Sequence, residues 1–290
     1  MLNFFGIPKK LFLIPICLII LFCLIYRTRN YLRYSVFFPV LQRVMPNPLY
    51  DEVRCPKNNI TIVSLGQSNS ANYVNKKLSS FPHNLIQYDW TTRKCFIYKE
   101  PLLGADGRGG AVITYTAMLL SSMTSHYVIV SNLGVGGSYR YDWAEGGIAT
   151  KYLIALQHMK SDGLNVRVFF FHQGESDSAR IVNTVNGTNQ KTYFRHLNTV
   201  IKNSRKFYPD SLFGVALVSI CRDNIIEFQP VRNAQYLAAN TIKNSFISGD
   251  SDKILGVHNR YDGCHLSGLG AESLGNIYFK SYSNKLFTNR

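Results

Sequence analysis

Two segments far apart in the sequence carry the side-chain types used in nucleophilic catalysis. Ser68 lies in the segment GQSN, directly after the apolar run at residues 60–65. Asp262 and His265 are three residues apart in YDGCHLS, near the C-terminus. A carboxylate that accepts the Nδ1 hydrogen of an imidazole leaves Nε2 free to take a proton from a serine. The three side chains therefore predict a Ser/His/Asp relay, provided that the fold brings them together.

Each of these residues also has an ordinary structural explanation. Gly, Asn and Ser are the usual turn formers, so GQSNSAN can be a turn or a helix cap. Taken singly, His265 can be a surface histidine and Asp262 a turn residue. The position of the segments favours chemistry, because loops at the carboxyl ends of strands in an open α/β sheet converge on one crevice.

Short β-rich runs alternate with segments of helical spacing along most of the chain. Strands are predicted at residues 60–65, 126–132, 165–171, 212–219 and, more weakly, 253–258, and helices at 111–123, 147–161, 188–206, 229–245 and 267–284. Continuous apolar strands separated by amphipathic helices are typical of a mostly parallel sheet that is covered on both faces. We therefore expect a three-layer α/β/α sandwich, with polar and glycine clusters after the first three of these strands.

Four segments, GQSNSAN, NLGVGGS, FHQGESD and YDGCHLS, resemble in this order the SGNH/GDSL hydrolase superfamily. More narrowly, they resemble its sialate O-acetylesterase-like branch of carbohydrate esterases, over roughly residues 58–285. The resemblance implies a flavodoxin-like sheet and an esterase that requires no metal or organic cofactor. It assigns Ser68 as the nucleophile, His265 as the general base and acid, and Asp262 as the residue that orients the imidazole.

The resemblance also implies an oxyanion hole. Its donors are expected to be the backbone N–H of Ser68, an N–H from the pair Gly136 and Gly137, and the side-chain amide of Gln173. The sequence leaves open which of the two glycines donates. Removal of one such preorganised donor costs ~3 kcal/mol of transition-state stabilisation.

Asn69 and Glu175 are expected to support this site, Glu175 as a hydrogen-bonding strut behind Gln173. Paired carboxylates such as Glu175 and Asp177 would also fit a glycosidase. Residues two apart directly after a strand can point in different directions, however, and the hydrolase segments already account for this loop. We expect Asp177 to cap the following helix.

Two aromatic residues after the glycine pair, Tyr139 and Trp143, are candidate contacts for a sugar ring. Packing in the core or in a loop explains them equally well. The sequence does not decide between these interpretations.

Four cysteines outside the apolar N-terminal segment show no C-x-x-C spacing, which argues against zinc. An even set permits two disulfide bonds and hence an oxidising compartment. A bond between Cys221 and Cys264 would brace the loop of Asp262 and His265, which leaves Cys55 and Cys95 as the second pair. A reactive thiol at Cys264 is the alternative.

The N-terminal segment at residues 11–26, LFLIPICLIILFCLIY, has no charged residue and is bracketed by basic ones. We expect a transmembrane anchor over residues 1–27, a basic stalk over 28–57 and the esterase domain over 58–290. A cleavable signal peptide is the alternative, although no small-residue cleavage site follows. The arginines after the segment would keep the C-terminal side cytoplasmic, whereas the cysteines and the sugar-ester substrate favour an extracytoplasmic domain, which we expect.

The net charge is +15, but the basic residues are scattered and form no nucleic-acid motif. The charge therefore predicts a basic face that favours anionic lipid or polyanionic glycan, and no nucleic-acid partner. With 46% hydrophobic and 17% charged residues, the chain can bury a sizeable core.

The expected function is that of a membrane-anchored serine esterase that removes O-acetyl or other small acyl groups from a carbohydrate. One alternative is an O-acyltransferase that uses the same triad, and another is an inactive glycan-binding module. A lipase or thioesterase would need a long apolar acyl channel, for which no lid-like apolar segment is evident. The sequence leaves the sugar, the acylated position and the oligomeric state open.

Overall fold

The computed structural model describes residues 50–178, 189–221 and 228–288. The anchor predicted at residues 1–27 and most of the stalk predicted at 28–57 lie outside these ranges. Within them, the structure contains no helix that is both long enough and apolar enough to span a membrane.

Eight strands of the described ranges form one sheet. They are β1 (Glu52–Val53), β2 (Asn59–Gly66), β3 (Leu85–Asp89), β4 (Lys94–Ile97), β5 (Tyr127–Asn132), β6 (Val166–His172), β7 (Leu212–Leu217) and β8 (Ser245–Asp250). Their order across the sheet is β1-β4-β3-β5-β2-β6-β7-β8. The six consecutive strands β3-β5-β2-β6-β7-β8 are parallel, whereas β4 is antiparallel to β3 and β1 to β4. The predicted, mostly parallel sheet is confirmed.

Helices cover both faces of this sheet. They are α1 (Val112–Ser122), α2 (Arg140–Ala144), α3 (Gly147–Ser161), α4 (Glu175–Ser178), α5 (Gln190–Phe207), α6 (Gln229–Thr241) and α7 (Gly268–Thr288). Along β6, Val168 and Phe170 pack in the core beneath α1 and α7, while Phe169 and Phe171 pack beneath α3, α5 and α6. Burial on both faces explains why the strands read as continuous apolar runs. The three-layer α/β/α arrangement is confirmed.

The last parallel strand lies earlier in the chain than the sequence predicted. β8 occupies Ser245–Asp250, not residues 253–258. In the predicted range, the chain first completes a short 3-10 helix, Ser251–Ile254, and Val257 is then 82% exposed. The prediction of a strand at 253–258 was wrong, because apolar residues there lie at the surface.

The helix predicted at residues 229–245 is also shorter than expected, since α6 ends at Thr241. Ile242 already has extended backbone angles, φ −93° and ψ 121°, and Asn244 has a positive φ of 59°. The helix cannot continue through such a turn. The residues that follow it form β8 instead.

The outer strands β1, β3 and β4, which the sequence did not predict, bring one of the disulfide bonds into the sheet. β1 pairs with β4, and Cys55 is bonded to Cys95 of β4. The second bond joins Cys221 to Cys264. Both predicted pairs are confirmed, and they indicate an oxidising environment for this domain. Residues 50–57, assigned to the stalk from the sequence, include β1 and are thus attached to the sheet.

The centre of the sheet contains a topological switch point. β2 has β5 on one side and β6 on the other. The chain therefore builds one half of the parallel sheet after β2 and then crosses to the other half. A crevice opens at the carboxyl ends of strands at such a point, and the segments GQSN, LGVGGS and HQGE follow β2, β5 and β6.

Candidate active site

Ser68 lies immediately beyond the carboxyl end of β2. Gly66 has φ +126°, and a Cβ built on it would lie 2.1 Å from the carbonyl oxygen of His172 in β6. Only glycine permits this close approach. The chain then forms a 3-10 turn over Ser68–Ser70 that also contains Asn69, a predicted supporting residue, which is buried. The turn leaves Ser68 with 7% of its surface exposed.

The structure brings Ser68 and His265 together, although 197 residues separate them. The Nε2 atom of His265 lies 2.9 Å from Ser68 Oγ, and Nδ1 lies 2.7 Å from Asp262 Oδ2. The other oxygen of Asp262 accepts the backbone N–H groups of His265 at 2.7 Å and of Cys264 at 3.0 Å. One carboxylate therefore fixes both the backbone of this loop and the orientation of the imidazole.

The carboxyl group of Asp262 is held in its ionised form. Burial by itself raises its pKa, but hydrogen bonds from His265 and from the N–H of Cys264 outweigh burial, so that the pKa of Asp262 is lower than usual. An ionised carboxylate at this position stabilises the imidazolium that forms when His265 takes a proton.

Arg260 fastens the His265 loop, residues 258–267, to the neighbouring loops. Its buried guanidinium donates to the carbonyl oxygens of Ile220 at 2.9 Å, Ser251 at 2.7 Å and Cys264 at 3.1 Å. The disulfide bond of Cys264 adds a covalent link to the segment after β7. Sequence reasoning missed Arg260, because an arginine directly before the segment YDGCHLS reads as a surface residue.

Of the glycine pair after β5, Gly136 has a hydrogen-bond acceptor for its backbone N–H and Gly137 has none within the described ranges. Gly136 donates its N–H to Asp106 Oδ2 at 3.0 Å, so the prediction of Gly136 as an oxyanion donor does not fit this geometry. Gly137 has φ +68° and open space where a Cβ would lie. Neither Gly137 nor Ser68 has an acceptor for its N–H within the described ranges. Among the predicted backbone donors, these two amides remain available.

Asp106 connects the loop after β2 with the loop after β5. Its N–H donates to the Gly134 carbonyl at 2.9 Å, and its own carbonyl accepts the N–H of Asn72 at 2.9 Å. Its carboxylate adds the bond to Gly136. The sequence did not single out Asp106, because an aspartate in the glycine-rich segment ADGRGG reads as a turn residue.

Gln173 directly follows β6 and is fully buried. Its Nε2 donates to Asp177 Oδ2 at 2.6 Å and to the Ser138 carbonyl at 3.2 Å, while its Oε1 accepts the hydroxyl of Tyr193 at 2.9 Å. Its amide group is therefore directed at protein acceptors, and the predicted role of Gln173 as an oxyanion donor does not match this geometry. Gln173 instead joins the loop after β5 to the loop after β6.

Glu175 lies in a buried hydrogen-bonded chain behind the end of β6. Its Oε1 is 3.0 Å from Nε2 of His172, whose Nδ1 is 3.0 Å from the hydroxyl of Tyr278. Burial raises the pKa of Glu175, but the interaction with His172 outweighs it and lowers this pKa below its usual value. The predicted strut behind Gln173 is therefore not Glu175.

Asp177 is the carboxylate that holds Gln173. It has no exposed surface, accepts the N–H of Arg140 at 2.9 Å and forms an ion pair with the Arg140 guanidinium. It lies within α4 and does not cap the next helix, because α5 is capped by the Asn189 side chain. With both Glu175 and Asp177 buried and bonded to protein groups, neither is placed to flank a glycosidic bond.

Trp143, predicted as a sugar contact, is a core residue. It is fully buried, its Nε1 donates to Ser138 Oγ at 2.9 Å, and its ring packs edge-on against Phe171 at 6.0 Å between centroids. Of the two interpretations that the sequence left open for Trp143, the structure shows packing in the core. Tyr139 is partly buried at the start of α2, where its N–H donates to Asp142 at 2.8 Å.

Two other aromatic rings lie beside His265. The ring centroid of Tyr73 is 5.3 Å from that of His265, with 20° between the planes, and that of Tyr261 is 6.0 Å away with 24°. The Tyr261 hydroxyl donates to the Tyr73 carbonyl at 3.1 Å. The Tyr73 hydroxyl lies against Gly136, where an added Cβ would come within 2.5 Å of it. Tyr73 therefore reaches from the imidazole to the glycine loop.

The groups assembled here are those of nucleophilic chemistry at a carbonyl carbon. The Ser68 hydroxyl, the His265 imidazole and the ionised Asp262 carboxylate are hydrogen-bonded one to the next. The backbone N–H groups of Ser68 and Gly137 have no acceptor within the described ranges. Such a set can attack a carbonyl and stabilise the negative charge on its oxygen. Among the described residues, no group of three or more His, Cys, Asp or Glu side chains is arranged to hold a metal ion.

A comparison with protein families gives a match over most of the chain. The model described as "Carbohydrate esterase, sialic acid-specific acetylesterase" matches residues 58–284. The matched range begins just before β2, ends within α7 and includes Ser68, Asp262 and His265. A comparison with curated protein sequences gives no match.

Solved structures share the fold at low sequence identity. A protein of Arabidopsis thaliana has a TM-score of 0.63 and 17% identity over 79% of this chain and 99% of that chain. NanS has a TM-score of 0.58 and 11% identity over 82% and 100%, respectively. A family 3 carbohydrate esterase of Clostridium thermocellum has a TM-score of 0.51 and 16% identity over 79% and 98%. At these identities, the likeness establishes the fold alone.

Proposed function

Because the chain belongs to the family of carbohydrate esterases described as sialic acid-specific acetylesterases, we propose that it removes O-acetyl or other small acyl groups from a carbohydrate through Ser68, His265 and Asp262. Membership of this family makes the chain a carboxylic ester hydrolase. The observation that carries the proposed triad is the 2.9 Å separation of Ser68 Oγ and His265 Nε2, with Asp262 at 2.7 Å from the other ring nitrogen.

In the proposed reaction, Ser68 Oγ attacks the ester carbonyl while His265 Nε2 takes its proton. The resulting imidazolium is stabilised by the ionised Asp262 and returns the proton to the oxygen of the leaving sugar as the carbon–oxygen bond breaks. Water then attacks the acyl-serine, again with His265 as the base, and releases the carboxylic acid and free Ser68. Each proton removed from a nucleophile is delivered to a leaving oxygen, so the cycle needs no further reactant.

The proposed oxyanion donors are the N–H groups of Ser68 and Gly137. Their lack of protein acceptors within the described ranges supports this choice, as does the open space at Gly137. Gly136 would have to give up its bond to Asp106 before it could donate. We propose that Asp106 and Gln173 hold the loops that position these amides.

The location of the enzyme is proposed from the disulfide bonds together with the sequence. Two disulfides support an oxidising environment for the domain. We propose that the uncharged segment at residues 11–26 tethers the domain to a membrane with the site facing away from the cytoplasm. Labelling of intact cells with an impermeant thiol reagent, after reduction at the cell surface, tests this, since Cys55 and Cys95 would stay unlabelled in a cytoplasmic domain.

The activity is tested with the full-length chain in detergent micelles. The substrates are 6-O-acetylglucose, 9-O-acetylated N-acetylneuraminic acid and ethyl acetate, with released acetate as the measured product. Ser68→Ala should abolish release, whereas Ser122→Ala, at an exposed serine of α1, should leave it unchanged. Equal rates for Ser68→Ala and the unchanged chain would rule out the proposed triad. Transfer of acetate to an added sugar would indicate an acyltransferase.

A further inference from the structure

Tyr261 combines an exposed ring with a fixed position beside His265. The residue is 46% exposed, yet its ring stacks with the imidazole at 6.0 Å and 24°. Its hydroxyl donates to the Tyr73 carbonyl at 3.1 Å, and its backbone N–H donates to the His265 carbonyl at 3.1 Å. The ring is therefore held at both ends, while a large part of its surface remains open to solvent.

The chemistry of the proposed reaction restricts where the leaving sugar can lie. His265 must return its proton to the oxygen of the leaving alcohol, so that oxygen has to come within hydrogen-bond distance of Nε2. The leaving sugar, which is attached through this oxygen, then lies near side chains that border the imidazole. Tyr73 and Tyr261 are the aromatic rings stacked with His265 in the described part of the chain.

The two tyrosines differ in what they can offer to a ligand. Tyr73 is partly buried, and its hydroxyl lies tightly against Gly136, so it acts as a wall between the imidazole and the glycine loop. Tyr261 has the larger open surface. The face of an aromatic ring is apolar and electron-rich, which suits the C–H face of a sugar.

We propose that the exposed ring of Tyr261 is the platform on which the leaving sugar stacks, so that Tyr261 selects carbohydrate esters over esters of small alcohols. This inference rests on the proposed esterase function. Trp143, a candidate sugar contact from the sequence, is buried, whereas Tyr261 is exposed. Tyr261 is the first residue of YDGCHLS, and sequence analysis did not single it out.

The kinetic test compares two leaving groups that carry the same acetyl group. Tyr261→Ala and Tyr261→Phe are assayed in the full-length chain on ethyl acetate and on the better cleaved of 6-O-acetylglucose and 9-O-acetylated N-acetylneuraminic acid. We expect Tyr261→Ala to lower kcat/KM for the sugar ester about five- to tenfold, mainly because KM rises. The value of kcat/KM for ethyl acetate should stay unchanged. Tyr261→Phe, which keeps the ring, should retain the preference for the sugar ester.

Several outcomes would overturn the proposal. An equal loss on both esters would show that Tyr261 only positions His265, and no loss on the sugar ester would show that the ring is not a platform. Tyr236→Ala, at a 42% exposed tyrosine of α6, is the matched control and should change neither rate.

A binding measurement separates this inference from the function on which it rests. Binding of the same acetylated sugar to Ser68→Ala protein is followed by saturation-transfer NMR, with and without the additional Tyr261→Ala change. Loss of the sugar signal only in the double variant supports the platform even if hydrolysis is absent. Undiminished binding by the double variant contradicts the platform even if Ser68-dependent hydrolysis is established.

Discussion

Asp106 and Gly136 are joined by a hydrogen bond of 3.0 Å from the backbone N–H of the glycine to the carboxylate of the aspartate. This bond engages the Gly136 amide, whereas the amide of Gly137, the next residue, has no acceptor within the described ranges. Because Asp106 is also bonded to Gly134 and Asn72 through its backbone, it holds the glycine loop against the turn that carries Ser68. The alignment of the proposed oxyanion donors therefore depends on a residue that need not touch the substrate.

We expect Asp106→Ala to lower kcat for an acetyl ester about tenfold with little change in KM, since a hydrogen bond to a charged group is lost and the donor loop is loosened. Asp106→Asn keeps an oxygen acceptor for Gly136 and should retain most of the activity. Steady-state kinetics on ethyl acetate provide both constants. If Asp106→Ala were as active as the unchanged chain, the loop would not need this bond.

The second prediction compares the two disulfide bonds, which close loops of similar length. Cys221–Cys264 and Cys55–Cys95 span 43 and 40 residues, so the entropic model assigns each about 4 kcal/mol of stability. Replacing both cysteines of either pair with alanine should therefore lower the free energy of unfolding by similar amounts. Urea unfolding followed by circular dichroism measures this quantity.

Activity should separate the two disulfides, because only Cys264 belongs to the His265 loop. We expect loss of Cys221–Cys264 to lower kcat about tenfold in folded protein, as the imidazole loses its fixed position relative to Ser68. Loss of Cys55–Cys95, at the outer edge of the sheet, should leave kcat unchanged. Equal values of kcat in the two variants would show that the disulfide near His265 has no part in positioning it.

A third prediction concerns the pH dependence of stability. The pKa of Asp262 is lower in the folded chain than in the unfolded chain, where it is about 3.9. Its contribution to stability is therefore fully present above the unfolded value and is lost as the pH falls through the folded value. Asp262→Asn should be less stable than the unchanged chain at neutral pH, and this difference should shrink in acid. Urea unfolding at neutral pH and near pH 3 tests the trend, which a constant difference would contradict.

The segments that carry Ser68, Asp262 and His265 could be singled out from the sequence by their residue types and by their resemblance to SGNH/GDSL hydrolases. Strand-end segments with the right residue types converge in any doubly wound sheet, and the spacing of Asp262 and His265 fits one loop. The mostly parallel sheet could be predicted from the continuous apolar character of the strands, because strands buried on both faces carry apolar residues throughout.

The supporting residues could not be predicted, because their roles depend on how side chains pack. Tyr261 lies within the segment YDGCHLS and Trp143 lies shortly after NLGVGGS, and only the three-dimensional packing buries Trp143 and exposes Tyr261. Glu175 and Asp177 are two residues apart, yet they bond to different partners, and the contact with Gln173 that was expected of Glu175 is made by Asp177. Likewise, the apolar residues around Val257 resemble a strand in sequence but lie at the surface.

The fourth prediction concerns Glu175 and tests whether its carboxylate is structural or takes part in the reaction. Its Oε1 bonds to His172, and the other partner of His172 is Tyr278, so all three residues form a buried unit that makes no contact with Ser68 or His265 among the described hydrogen bonds.

We expect Glu175→Ala to destabilise the fold by about 3 kcal/mol, because it leaves His172 without its buried partner. Glu175→Gln, which keeps the shape and an oxygen for His172, should cost less. In both variants, kcat per folded molecule should stay within about threefold of that of the unchanged chain, since a residue that touches no reacting group does not stabilise the transition state directly. Thermal unfolding and acetate release from ethyl acetate are measured on the same samples. A loss of kcat by orders of magnitude in folded Glu175→Gln would instead make this carboxylate a participant in the reaction, because the substitution removes its charge and ability to exchange a proton while preserving its packing.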